Sequence, residues 1–206
     1  RGDLYVSNAS ASSLVIDTSD YVTPATPRTV TLKGRIVAYN PVTIKGCGTV
    51  VVDTTGSTTK EGFPEDFRHT CLTNAATLYV TDTATLQVNA GKKITGNGTI
   101  SLSSGTTLAL ASNSREFATP DIVPVALPAE GGATIRIDGT RLASGEYVLC
   151  TLASAPENLD DRVTVTGEAI DGRRCNVKSV EVTENSKTVT KLVLNIYPAG
   201  MMIIIR

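Results

Sequence analysis

Tryptophan is missing from the 206 residues, and only three phenylalanines and six tyrosines are present. The core must therefore be built from valine, isoleucine, leucine and alanine, the side chains that fill narrow β interiors. The same shortage removes the Trp or Tyr platform on which sugar-binding modules stack pyranose rings. Histidine occurs once, at His69. A zinc site needs three or four His or Cys ligands, so His69 with Cys71 two residues on falls short. A Cys-His nucleophile pair would also lack an orienting partner, which leaves an exposed loop histidine as the default. No run of eighteen apolar residues exists, and the terminal MMIIIR is far too short to span a bilayer. A formal net charge of -1 and no Lys/Arg cluster along the chain give no electrostatic footprint for phosphates. Nucleic acid is therefore not expected as a partner. The glycine phrases at 46–48 and 96–98 are followed by no Lys-Ser/Thr, so they are not phosphate loops.

What is present is a pattern. Over residues 77–110, apolar residues recur at Leu78 and Val80, Leu86 and Val88, Ile94, Ile100 and Leu102, and Leu108 and Leu110, with Thr, Ser, Asn, Asp and Gly between. Each apolar group reads as a short alternating strand and each gap as a tight turn. Leu78 maps onto Ile100 and Leu86 onto Leu108, both twenty-two residues on. A repeat of that length fits one coil of a β-solenoid with three short strands per coil. The nine residues named above are expected to point inward in stacked columns. The phrase IKGCGTVVV at 44–52 returns as ITGNGTISL at 94–102, an offset of fifty, which predicts the same corner made twice with glycine supplying positive φ or close backbone approach. Carried backward, that offset sets Ile36 against Leu86 and Val30 against Val80.

Between the two phrases lies an insertion at 54–75. Phe63, Phe67 and Cys71 fall at helical spacing, with Pro64, Glu65 and Asp66 suited to a first turn. A short helix or ordered loop is expected there, with Phe63, Phe67, Arg68 and His69 as a contact loop, because repeat scaffolds carry binding features on long insertions. After Ser112 the period is lost, and strands of ordinary length follow at 122–126, 133–138, 146–152, 162–166, 176–183, 189–197 and 201–205. The fold expected is therefore all-β: a right-handed β-helix over 1–113, with a C-terminal β-rich cap or small sandwich over 114–206 covering the exposed strand edges.

Four cysteines invite pairing. Cys47 with Cys71 and Cys150 with Cys175 would each close a loop of about twenty-five residues and stabilise by about 3 kcal/mol in an oxidising compartment. Four buried thiols are the alternative. The chain opens at Arg1 without an initiating Met, and its Thr, Ser, Gly and Asn content is common in exported surface proteins, so it reads as a mature or trimmed fragment. Arg1-Gly2-Asp3 spells a cell-attachment tripeptide, although Gly-Asp before a strand is ordinary turn chemistry.

The strings TLQVNAGKKITGNGTISL and LPAEGGATIRIDGTRLASGEYVLCTL resemble the passenger-associated β-strand repeats of bacterial autotransporter-like secreted surface proteins. The likeness covers about half the chain in its repeat part, and the cysteines and the insertion depart from it. It implies a secreted, right-handed β-helix scaffold and carries over no catalytic, cofactor-binding or metal-binding residue.

Paired carboxylates stand at Asp17/Asp20, Glu65/Asp66 and Asp160/Asp161. Glycoside cleavage needs two carboxyls facing each other across the sugar, and neighbours in a strand or turn point apart. Calcium at Asp17/Asp20 or Asp160/Asp161 stays open, because backbone oxygens can complete such a site. The function expected is a non-catalytic secreted or bacterial cell-surface scaffold of adhesion type, with glycans or another surface protein as partners. A polysaccharide lyase or glycosidase-like β-helix enzyme is the first alternative, and a carbohydrate-binding module the second.

Overall fold

A computed structural model describes residues 4–6, 13–20, 23, 25–34, 36–54, 70–115, 117 and 121–198. Phe63, Phe67, Arg68 and His69, the helix expected around them, Glu65/Asp66, the Arg1-Gly2-Asp3 tripeptide and the strand expected at 201–205 all lie outside the described residues.

Short strands follow one another along the whole described chain. The first six are β1 (Leu4–Val6), β2 (Leu14–Asp17), β3 (Thr29–Leu32), β4 (Ile36–Ala38), β5 (Val42–Lys45) and β6 (Thr49–Val52). Next come β7 (Thr70–Leu72), β8 (Thr77–Val80), β9 (Thr85–Val88), β10 (Ile94–Gly96), β11 (Thr99–Leu102) and β12 (Thr107–Ser112). The last six are β13 (Val125–Ala126), β14 (Ala133–Gly139), β15 (Gly145–Leu152), β16 (Val163–Thr166), β17 (Cys175–Glu184) and β18 (Lys187–Ile196). Among the described residues the helical content is one turn, α1 (Leu159–Arg162), and a 3-10 turn at Glu168–Ile170. No helix among them is long and apolar enough to cross a membrane.

The strands assemble into three sheets, ordered β1-β4-β7-β10, β17-β18-β15-β13-β11-β8-β5-β2 and β16-β14-β12-β9-β6-β3. From β1 to β12 the chain visits the first, second and third sheet in fixed rotation, so each strand pairs in parallel with the strand three places on. The twenty-two-residue interval is real pairing: Leu78 is the register partner of Ile100, and Leu86 of Leu108. The strict interval ends with β12, yet parallel pairing continues, since β12 pairs with β14, β14 with β16, β11 with β13 and β13 with β15. Two of the three sheets thus run past Ser112. Among the described strands antiparallel pairing enters with β18, which lies between β15 and β17; an isolated antiparallel bridge also joins Ser19 to Pro27.

Alternation within each strand selects one row for the interior. In β9 and β11 Leu86, Val88, Ile100 and Leu102 are buried, while Thr85, Gln87, Thr99 and Ser101 between them are half-exposed. All nine residues expected to face inward are buried. Columns form because parallel register puts like beside like: Val50, Leu86, Leu108 and Ile135 stand in one line, and Val52, Val88, Leu110 and Ile137 in the next. Burying such a side chain stabilises by about 1.5–3 kcal/mol, and a column shares each contact with the strands on both sides. An apolar void of about 10 Å³ remains between Ile16, Ile44, Leu72 and Leu86, room for no more than one water.

The repeated glycine phrase makes one local corner at two different edges. Gly46 and Gly96 take φ of +97° and +110°, a region that side chains rarely enter. Gly48 and Gly98 serve by close approach, since a Cβ would lie 2.1 Å from the Arg28 carbonyl oxygen and 2.2 Å from that of Ala76. Thr18, fully buried, completes the first copy by donating its Oγ1 to the Lys45 carbonyl at 2.7 Å and accepting the Gly48 N–H at 2.9 Å. The offset of fifty, however, does not place the two phrases in one column. The first copy joins the second sheet to the third, and the second joins the first sheet to the second. Ile36 consequently pairs with Leu4 rather than standing with Leu86, and Val30 pairs with Val50 rather than with Val80. A corner is a local backbone conformation, so its sequence reports the bend and not the edge at which the bend is used.

Candidate functional site

The cysteines are held as thiols, and neither expected disulfide is formed. Cys150 lies opposite Leu192 on one side of β18, and Cys175 opposite Ile196 on the other. Two strand spacings and four residues of offset separate their Cα atoms by roughly 16 Å, against the ~7 Å that a disulfide spans. Cys71 sits in β7 of the first sheet beside Val37 and Thr95, whereas Cys47 occupies the turn joining the second and third sheets. Burial pushes the Cys150 thiol up to about 12, only slightly opposed by the Lys191 charge. Burial also raises Cys175, with Arg173 opposing. Alkylation of the denatured chain without reductant is therefore expected to label four thiols, with Cys150 the slowest to react in the native state, as read by intact mass and peptide mapping. Two labels or fewer would show that the disulfides exist.

The carboxylate pairs are engaged separately. Asp17 accepts the Ser19 backbone N–H at 2.9 Å and pairs with Lys45 at 3.1 Å, and these contacts hold its carboxyl below the ordinary range, the Ser19 bond contributing most. Asp20 instead takes both Nε and Nη2 of Arg28, at 3.1 and 2.6 Å. Asp160 and Asp161 fall in the single turn of α1. Among the described residues no three His, Cys, Asp or Glu side chains gather to hold a metal ion, so calcium gains no ligand cluster there.

The side-chain chemistry that does gather is guanidinium. Successive strands of the third sheet, β12, β14 and β16, are each followed by a turn, and these turns carry Arg115, Arg141, and Arg173 with Arg174. Backbone bonds lock the turns together: Thr140 N–H donates to the Ser112 carbonyl, Ala143 N–H to that of Arg115, and Leu142 N–H to that of Ala169. Tyr147 adds its hydroxyl to the carbonyls of Ala143 and Arg115, at 3.0 and 3.3 Å.

Arg173 is the tie. Half-buried, it donates Nη1 to the Leu142 carbonyl at 3.0 Å and Nη2 to Ser144 Oγ at 2.7 Å, and Ser144 Oγ donates in turn to the Tyr197 carbonyl at 3.4 Å. Arg141 reaches the Asp171 carbonyl at 3.3 Å, and Arg174 lies over the Tyr197 ring with Cζ 5.4 Å from its centre. Arg115, Arg141 and Arg174 are exposed. None of the four is bridged to a carboxylate among the described residues, in contrast to Arg28 with Asp20 and Arg136 with Asp138. Glu168 and Asp171, both exposed, are the carboxylates on these turns among the described residues, and Glu116, next to Arg115 in sequence, lies outside them; four arginines against these three acids leave a formal excess of one positive charge.

No family model matches the chain, and neither the curated proteins nor the solved structures contain a match to it. Sequence reasoning missed this edge because the arginines stand at 115, 141 and 173–174, with no basic run among them. The available signal was the Arg-Arg pair after the Asp171-Gly172 turn.

Proposed function

We propose that the chain is part of a right-handed β-helix, similar to autotransporter passenger repeats, that serves as a non-catalytic scaffold of a secreted or bacterial cell-surface protein. The observation that carries this is the register: β1 to β12 rotate through three sheets, each strand pairing in parallel with the one three places on. A chain that advances one strand spacing per cycle in this way winds as a helix of coils, and the strand-crossover preference favours the right hand. On this reading β17 and β18, which switch the second sheet to antiparallel pairing, end the winding and shield its last coil. The non-catalytic part rests on the carboxylates, of which Asp17 and Asp20 are already engaged by Lys45 and Arg28. Export is supported by the Thr-, Ser-, Gly- and Asn-rich composition.

A polysaccharide-cleavage screen of the intact chain, run with and without calcium, tests the catalytic question. No turnover is expected on any substrate. Turnover that disappears when one acidic residue is replaced would make the chain an enzyme.

A further inference from the structure

We infer that the arginine edge formed by Arg115, Arg141, Arg173 and Arg174 is a binding site for an acidic polysaccharide, one whose sugars carry carboxylate groups. Three observations converge on it. The four guanidinium groups have no carboxylate partner among the described residues, although arginine in a surface pair is the ordinary arrangement, as Arg28 shows. Their turns are joined by backbone bonds and by Arg173, so the groups are presented from a firm base. Their turns also follow consecutive strands of one parallel sheet, neighbours about 4.8 Å apart, which brings the four residues to one end of that sheet.

The guanidinium fork matches a planar carboxylate with two parallel N–H···O bonds. Arg141 and Arg174 each use one face or one nitrogen in holding the turns, which leaves further N–H donors on both directed to solvent. Several guanidinium groups along one end of a sheet suit charges carried at intervals along an extended chain. A duplex phosphate backbone fits less well, because it is held by many contacts spread over a long track. Glu168 and Asp171 on the same turns, and Glu116 beside Arg115 in sequence, weaken the attraction of the edge for an anion without cancelling it. The inference stands apart from the scaffold reading, since it requires neither a winding hand nor export.

Native gels cast with polygalacturonate, with neutral dextran or with no polymer test it on the intact chain. The protein is expected to be retarded by polygalacturonate alone, and retardation should fade as salt rises through the range that screens exposed charges. R115Q/R141Q/R174Q, which leaves Arg173 in place to hold the turns, should bind about tenfold more weakly, three exposed charge contacts being lost. R28Q/K45Q/K93Q removes the same number of charges elsewhere and should bind as the parent does. Retardation by neutral dextran, none by polygalacturonate, an equal loss in both triple variants, or tighter binding to duplex DNA than to polygalacturonate would each overturn the assignment. Should the triple variant fold poorly, R115Q alone, which alters an exposed side chain that holds no turn, is expected to bind more weakly than the parent, and unchanged binding by R115Q would overturn the assignment.

Discussion

Replacing Gly96 with alanine is expected to destabilise the chain by about 3–5 kcal/mol. Two effects combine at this position. Its φ of +110° lies where an L side chain is strained, and an added Cβ would come 2.0 Å from the Leu72 carbonyl oxygen. That oxygen belongs to β7, the parallel neighbour of β10, and it already accepts the N–H groups of Asn97 and Gly98. Relief would require separating two strands of the first sheet or giving up those bonds. Gly91 provides the comparison: its φ is +72° but nothing lies within 4 Å of the added Cβ, so alanine there should cost only about 1 kcal/mol. Urea unfolding of the two variants, followed by circular dichroism, measures the difference. Equal midpoints would mean that the close approach between corner and strand is not what this glycine secures.

Truncating Leu108 to alanine should cost about 3–4 kcal/mol, the larger part from the cavity left between neighbours that cannot close in. Leu108 is wholly buried, with Leu86 and Ile135 as register partners on either side in the third sheet. Strand spacing is set by backbone hydrogen bonds, so a column cannot shorten to fill the gap. Val15 on the second sheet is 51% exposed, and its alanine variant should stay within about 0.5 kcal/mol of the parent. A Leu108 variant no less stable than the Val15 variant would contradict the stacked column.

The arginine edge lies away from the insertion at 54–75 in the sequence. An insertion was the expected place for a contact, because a long loop is conspicuous in a regular sequence. The segments after β12, β14 and β16 each carry no more than two arginines, and only their meeting at one end of the third sheet gathers the charge. Parallel strands bring residues some thirty positions apart to one end of a sheet, which is how a chain with no basic run acquires a basic edge.

By itself the sequence determined what local physics controls. Alternation of Leu, Val and Ile with Thr and Ser dictated which face of each strand is buried, and the twenty-two-residue interval dictated that Leu78 meets Ile100 and Leu86 meets Leu108. The Gly-x-Gly phrase dictated the corner, with one glycine for positive φ and the next for close approach. Tertiary structure decided everything that depends on the count of strands between two points. It put the two copies of the phrase at different edges, because three sheets are visited in turn and fifty residues hold a number of strands that is not a multiple of three. It held Cys150 and Cys175 on opposite sides of β18, because antiparallel pairing sends their flanking strands to either side of one partner. It brought Arg115, Arg141, Arg173 and Arg174 to one edge, because parallel register aligns the ends of successive strands whatever the length of chain between them.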